Sequence, residues 1–247
     1  MNSAYHRPVA YPTDLGTATS NRLHGATPAR KPSLIVPLGS TEQHGPHLPL
    51  DTDTRIAVAV ARSASARIGA GWLLAPALNY GASGEHEGFP GTVSIGTEAL
   101  RLVLTEFGRS ACGWATRLVF VNGHGGNVEA LVAAVTLLRA EGRDAAWSSC
   151  TVAGADAHAG HTETSVLLHI SPENVRIEER VPGNRAPLSE LMPAMRRGGV
   201  AAVSEIGVLG DPTTATEQHG EQLFAAMVDG CVRRLSAWNP DARGMLI

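Results

Sequence analysis

At 247 residues, 43% of them hydrophobic and 17% charged, the chain is long enough to bury a substantial core and composed like a globular protein, which excludes the disordered and fibrous classes. A formal charge of -3 with no Lys/Arg run excludes the basic footprint of a nucleic-acid binder. No apolar run approaches the ~18 residues of a membrane span, and the start MNSAYHRPVAYP lacks the charged-then-apolar order of a signal peptide, so a cytoplasmic protein is expected.

Residues 1–32, rich in Pro, Ser, Thr and Arg, read as an N-terminal arm with one short helix near Asp14 to Leu23, packing on a neighbour or fraying. From Ser33 short apolar runs alternate with helical periods, which predicts α/β architecture around a mostly parallel sheet in a single domain, 33–247. The expected strands are Leu34 to Leu38, Leu73 to Leu78, Leu118 to Val121 and Trp147 to Val152. The expected helices are Thr54 to Ile68, Glu98 to Trp114, Val128 to Glu141, Thr162 to Ile170 and Thr216 to Trp238. Pro182 to Gly210 is less regular and reads as a substrate-facing excursion. Cys112, Cys150 and Cys231 are widely spaced, without a CxxC pair, and read as small core residues.

Polar clusters follow the first three strands directly: GSTEQHGPH, NYGASGEHEGFPG and NGHGGN. In an open α/β sheet such loops gather at the carboxyl ends of the strands, where ligands bind. The segment from Gly39 to Asp53 holds carboxylates and two histidines, and Gly45, Pro46 and Pro49 make it a rigid loop. Its mixture of imidazole nitrogen and carboxylate oxygen suits Zn, Mn or Fe. Glu42 and His44, two residues apart, are expected to serve neighbouring ions, which favours two divalent metals over one. Asp53, where the next helix should begin, is placed to bridge ions ~3.5 to 4 Å apart. His124, among glycines that permit close backbone approach, is assigned as a further ligand.

The stretch DAHAGHTETS adds His158, His161 and Glu163 near another helix start. Glu163 is expected to complete the second metal's shell, His158 to carry a proton or contact substrate, and Asp156 to support the ligands from behind. His47 is a supporting candidate, and His86 with Glu85 and Glu87 a pocket-lining one. His6, His24 and His169 read as surface or packing residues. Thr216 to Gly220 repeats the five letters of Thr41 to Gly45, but runs into an amphipathic stretch and reads as the opening of a packed helix, not a metal site.

The motifs GSTEQHGPHLPLDTD, HEGFPGTVSIG, FVNGHGGN and DAHAGHTETS resemble those of the creatininase family of metal-dependent amidohydrolases, across Ser33 to Ser165 and loosely to the end. The resemblance implies a three-layer αβα sandwich, a two-metal centre, a homo-oligomer and hydrolysis of an amide carbon-nitrogen bond by a metal-bridged hydroxide. It places Glu42, Asp53 and His124 on one metal and His44, Asp53 and a further carboxylate on the other. Creatininases resemble NGHYEN at the third motif, whereas Gly126 occupies the acidic place here, so Glu163 is the expected replacement. Gly154 and Ala155 stand where creatininases carry tryptophan and aspartate, which argues against creatinine as substrate. The opening VAYPTDLGT and the stretch LGDPTTATEQHGE resemble a peptidase branch of the family, which implies a modified ribosomal precursor peptide as substrate and release of its C-terminal Val-Tyr-derived portion. Rival readings are a deformylase or cyclic-amide hydrolase of flavin or deazaflavin biosynthesis, a mononuclear iron oxygenase, and a non-catalytic metal-binding protein.

Overall fold

The computed structural model describes residues 14–23 and 31–247. Four strands, β1 (Ser33–Leu38), β2 (Trp72–Leu74), β3 (Leu118–Asn122) and β4 (Ala145–Ser149), pair in the order β2-β1-β3-β4, every pairing parallel. Their apolar runs are nearly continuous because both faces of the sheet are covered. Ile35, Val119, Val121 and Ala146 point into one core, against α2 (Thr52–Ile68), α5 (His161–Ile170) and α7 (Glu217–Ala237). Leu34, Val36, Leu38, Phe120 and Trp147 point into the other, against α3 (Thr97–Ala111) and α4 (Val128–Ala140). The result is an αβα sandwich of three layers, with the sheet as its middle.

The expected elements all form, and their boundaries shift for local reasons. β2 runs only from Trp72 to Leu74, four residues short of its expected end at Leu78, because Pro76 has no N–H for the ladder. Pairing resumes loosely beyond it, where the Leu78 N–H donates to the Pro37 carbonyl at 3.0 Å. α3 ends at Ala111 rather than Trp114, just before Gly113. The irregular excursion contains a helix that was not expected, α6 (Leu188–Gly198), with Pro193 inside it and only Leu191 buried. Leu191, Val200 and Leu209 form its small core of their own.

The short helical turns expected near Asp14 to Leu23 are present, a 3₁₀ turn at Leu15–Thr17 and α1 at Ser20–Leu23. They lie against the body: Asp14 bridges to Leu74, and Leu15 and Leu23 pack on the α3/α4 core. His6, His24 and the rest of residues 1–13 and 24–30 of the expected arm lie outside the described residues. No helix among the described residues is long and apolar enough to cross a membrane.

Val36, Phe120 and Trp147 stand in register across three strands, and Phe120 is fully buried with its ring 5.9 Å from that of Phe107. Phe120→Ala should lower the unfolding free energy by about 3–5 kcal/mol, read from denaturant midpoints, because the rigid strand cannot close the cavity.

Candidate metal centre

The loops that follow β1, β2 and β3 are tied together by one amide. Asn127 is fully buried; its Nδ2 donates to the Gly39 carbonyl at 2.9 Å and to Asn122 Oδ1 at 3.1 Å, and its Oδ1 accepts the Ala82 N–H at 2.9 Å. Asn122, the last residue of β3, donates through Nδ2 to the His124 carbonyl at 2.6 Å. Within NGHGGN the sequence pattern marks His124 and the glycines but not Asn127. The available signal was its position, an amide between a strand end and a helix start whose hydrogen bonds local structure cannot satisfy.

On this frame the five expected ligands converge. Asp53 sits in the first turn of α2, with Oδ1 3.3 Å from His44 Nε2 and Oδ2 3.2 Å from His124 Nδ1. Ser40 Oγ donates to Asp53 Oδ2 at 2.6 Å. Glu42 Oε2 lies 3.2 Å from His124 Nε2, and Glu163 Oε2 lies 3.9 Å from His44 Nε2. The Ala159 N–H, in a left-handed backbone conformation with φ 51°, donates to Glu163 Oε2 at 2.6 Å and holds that carboxylate in place. Asp156 caps the start of α5, accepting the Thr162 N–H at 2.9 Å and the His161 N–H, and so supports the turn that carries Glu163.

Two further imidazoles join the cluster. His86 Nε2 stands 3.2 Å from Glu42 Oε1, and His158 Nδ1 3.8 Å from the same oxygen. The ring of His158 packs between those of His44 and His86, each with centroids 4.4 Å away. Its Nε2 lies 2.8 Å from the Gln43 carbonyl and 3.1 Å from Gln43 Nε2, and its Nδ1 faces Glu42. Three overlapping sets of donor atoms lie within 4.8 Å of one another: Glu42, His86 and His158; His44, His158 and Glu163; Glu42, His44 and Asp53. His86, expected to line the pocket, is instead buried within the cluster.

The electrostatics test whether these residues fit metal ions. Glu42 is fully buried and neither of its carboxylate oxygens has a hydrogen-bond partner, an arrangement too costly for an anion without cations beside it. Burial pushes the Glu42 carboxyl up, and His124 and His44 together hold the group below its usual range. For His44, burial works against protonation, and Asp53 ahead of Glu163 and Glu42 reverses it, raising the ring to about 10. His124 is raised in the same way by Glu42 and Asp53 against its burial. His86, desolvated and facing His124 and His44, falls to about 3. Burial lifts Glu163 to about 7 against the pull of His44. Imidazolium charge on His44 and His124 thus occupies the places where divalent ions would neutralise the same carboxylates, and the oxygen and imidazole donor set fits such ions.

The family model for creatininase, described as creatinine amidohydrolase, matches residues 17–235. The chain belongs to the creatininase family. Among curated creatininase relatives it is 66% identical to the mycofactocin precursor peptide peptidase of Mycolicibacterium smegmatis over 250 residues, covering all of both chains. It is 65% identical over 254 residues to the protein of that name from Mycobacterium tuberculosis, again covering all of both. Creatinine amidohydrolase of Pseudomonas putida is 29% identical over 232 residues, 80% of this chain and 86% of that one. The solved structure named Creatininase Mn superposes with a TM-score of 0.76 at 26% identity, covering 92% of this chain and 99% of that one. A creatininase variant of Zn-Zn type gives the same TM-score, identity and coverage.

Beside the creatininase centre lies a cavity of about 790 Å³ that Glu163 lines together with Gly123, Asp156, His161, Arg185 and Leu188. The excursion expected to face substrate contributes its wall from Asn184 to Leu188. The remaining histidines stand apart from the donor sets. His47 Nε2 meets Thr164 Oγ1 at 2.8 Å, and His169 packs its ring 5.6 Å from Phe224. The repeated TEQHG opens α7, with the Thr216 side chain accepting the His219 N–H as an N-cap. His219 Nδ1 meets His161 Nε2 at 2.6 Å. Cys150 and Cys231 are buried and Cys112 is partly so, all unpaired.

Gly123 packs its Cα on the backbone that carries Asp53: a Cβ there would stand 2.4 Å from the Asp53 carbonyl oxygen. Gly123→Ala should therefore push the start of α2 away and cut the metal retained after gel filtration by more than half, with little change in far-UV circular dichroism. Full metal retention would refute this close-approach role.

Proposed function

We propose that this chain is a metal-dependent peptidase of mycofactocin biosynthesis, with a crosslinked ribosomal precursor peptide as its substrate and release of the C-terminal Val-Tyr-derived portion as its reaction. The observation that carries the metal-dependent part is the sealed Glu42 carboxylate at the centre of the donor cluster, which makes no hydrogen bond and meets only imidazoles, His124 and His86, each at 3.2 Å. Full-length identity of 64–66% to four proteins named mycofactocin precursor peptide peptidase supports the substrate. We assign residues 33–247 as one catalytic domain that works as a soluble cytoplasmic homo-oligomer.

Glu42, Asp53 and His124 would hold one divalent ion, and His44, Asp53 and Glu163 a second, with Zn, Fe or Mn suited to the donors. When bound, such ions supply Lewis acidity to the scissile carbonyl and lower the pKa of the attacking water. The protein's own contribution is placement. Ser40 fixes Asp53 through one oxygen, Ala159 fixes Glu163, and Asn122 orients the His124 backbone. The cavity beside Glu163 is large enough for the end of a peptide, and its apolar wall of Ile56, Val152, Leu188 and Met227 suits side chains derived from Val and Tyr.

His158, expected from the sequence to carry a proton, has a geometry that favours holding metal. Its Nε2 is engaged by Gln43, and its Nδ1 faces Glu42 from a buried position.

Incubation of metal-loaded protein with the crosslinked precursor, followed by mass spectrometry, should yield a C-terminal Val-Tyr-derived fragment, and Glu42→Ala should yield none. Absence of cleavage with two metals bound would overturn the peptide substrate and redirect the search to cyclic amides and formamides. His158→Ala should lose metal and turnover in parallel, whereas turnover lost at full metal content would return it to proton transfer.

A further inference from the structure

Position 126 has no room for a side chain. A Cβ on Gly126 would stand 2.3 Å from the Ala82 carbonyl oxygen, 2.4 Å from His124 Nε2 and 2.6 Å from Glu85 Oε1. The acid that the creatininase motif NGHYEN carries at this place therefore cannot be restored on this backbone, and a carboxylate from another loop already fills part of the volume. That carboxylate, Glu85, belongs to the 3₁₀ turn Gly84–His86 after β2. Its Oε1 lies 3.5 Å from His124 Nε2, the nitrogen that also lies 3.2 Å from Glu42 Oε2.

The turn is braced so that two consecutive side chains aim at the same place. The His86 N–H donates to the Ser83 carbonyl at 2.9 Å, and the backbone of Gly199 presses on the Glu85 carbonyl, where a Cβ would come within 2.5 Å. His86 thereby reaches Glu42 Oε1 at 3.2 Å while Glu85 reaches the His124 side of the same carboxylate. Glu42, fully buried and with no hydrogen bond to either oxygen, is the independent sign that a cation belongs between them.

We propose that Glu85 is a metal ligand of this site, adding from the second loop a further carboxylate on the His124 side of the centre, in the space that Gly126 leaves without a side chain. Glu163, which lies near His44 and not near His124, then serves the opposite side of the centre, and the chain holds its ions with four carboxylates. This inference rests on the metal-dependent reading of the site.

The test is calorimetric titration of chelator-stripped protein with Mn²⁺, with metal retained after gel filtration counted by mass spectrometry. The native chain should take two equivalents. Glu85→Gln should lose one equivalent or bind it roughly tenfold or more weakly, the scale seen when a supporting group of a metal site is removed. Glu87→Gln, which deletes the same charge two residues away on an exposed side chain, should titrate like the native protein. Glu85→Asp, which keeps the charge and shortens the reach, should also weaken binding and serves if the Gln variant melts early. Two equivalents at native affinity in Glu85→Gln, or equal weakening in Glu87→Gln, would overturn the proposal. A native chain that takes up no Mn²⁺ would instead overturn the metal-dependent reading beneath it.

Discussion

The rest of this structure depends on a carboxylate that water does not reach. Glu42 is sealed at the carboxyl end of the sheet with neither oxygen hydrogen-bonded, and an isolated buried anion is among the most costly groups a protein can hold. Everything around it is arranged to offset that cost. His124 and His86 approach its two oxygens, Asp53 lies across His124 from it, and His44 and Glu163 extend the alternation of charge toward the cavity. Paired charges in such a core contribute little net stability. What they add to folding therefore does not explain their persistence at the centre of the molecule.

The sheet makes this concentration of charge possible. Parallel strands deliver successive loops to one edge, and the register that aligns Leu38 with Asn122 and Asn122 with Ser149 brings those loops to a common level. Two devices then close the distances. Asn127 stitches three loops through one side chain, and Gly123 lets the third loop lie against the helix start that carries Asp53. Both set where the candidate ligands stand. The excursion from Pro182 to Gly210 does the complementary work on the open side, walling the cavity with its own small core as anchor.

Membership of the creatininase family and this geometry explain different things. The family likeness accounts for the sandwich and for the loop order. The departure at Gly126 is explained only by packing, because the Ala82 carbonyl, His124 and Glu85 together fill the space a side chain would need.

The sequence by itself determined the architecture and the core of the site. Buried parallel strands carry uninterrupted apolar runs and helices carry a 3.6-residue period, so β1 to β4 and α2 to α5 were legible within a few residues, and ligating residue types directly after strands marked Glu42, His44, Asp53, His124 and Glu163. Local pattern also separated the second TEQHG from the first, since Thr216 caps a helix and Thr41 does not. What only the tertiary structure decided was every relation between side chains distant in the chain. The tie made by Asn127, the burial of His86, the orientation of His158 by Gln43 and the approach of Glu85 to His124 all span tens of residues. No periodicity encodes such contacts, because they arise from where the sheet brings the loop ends together.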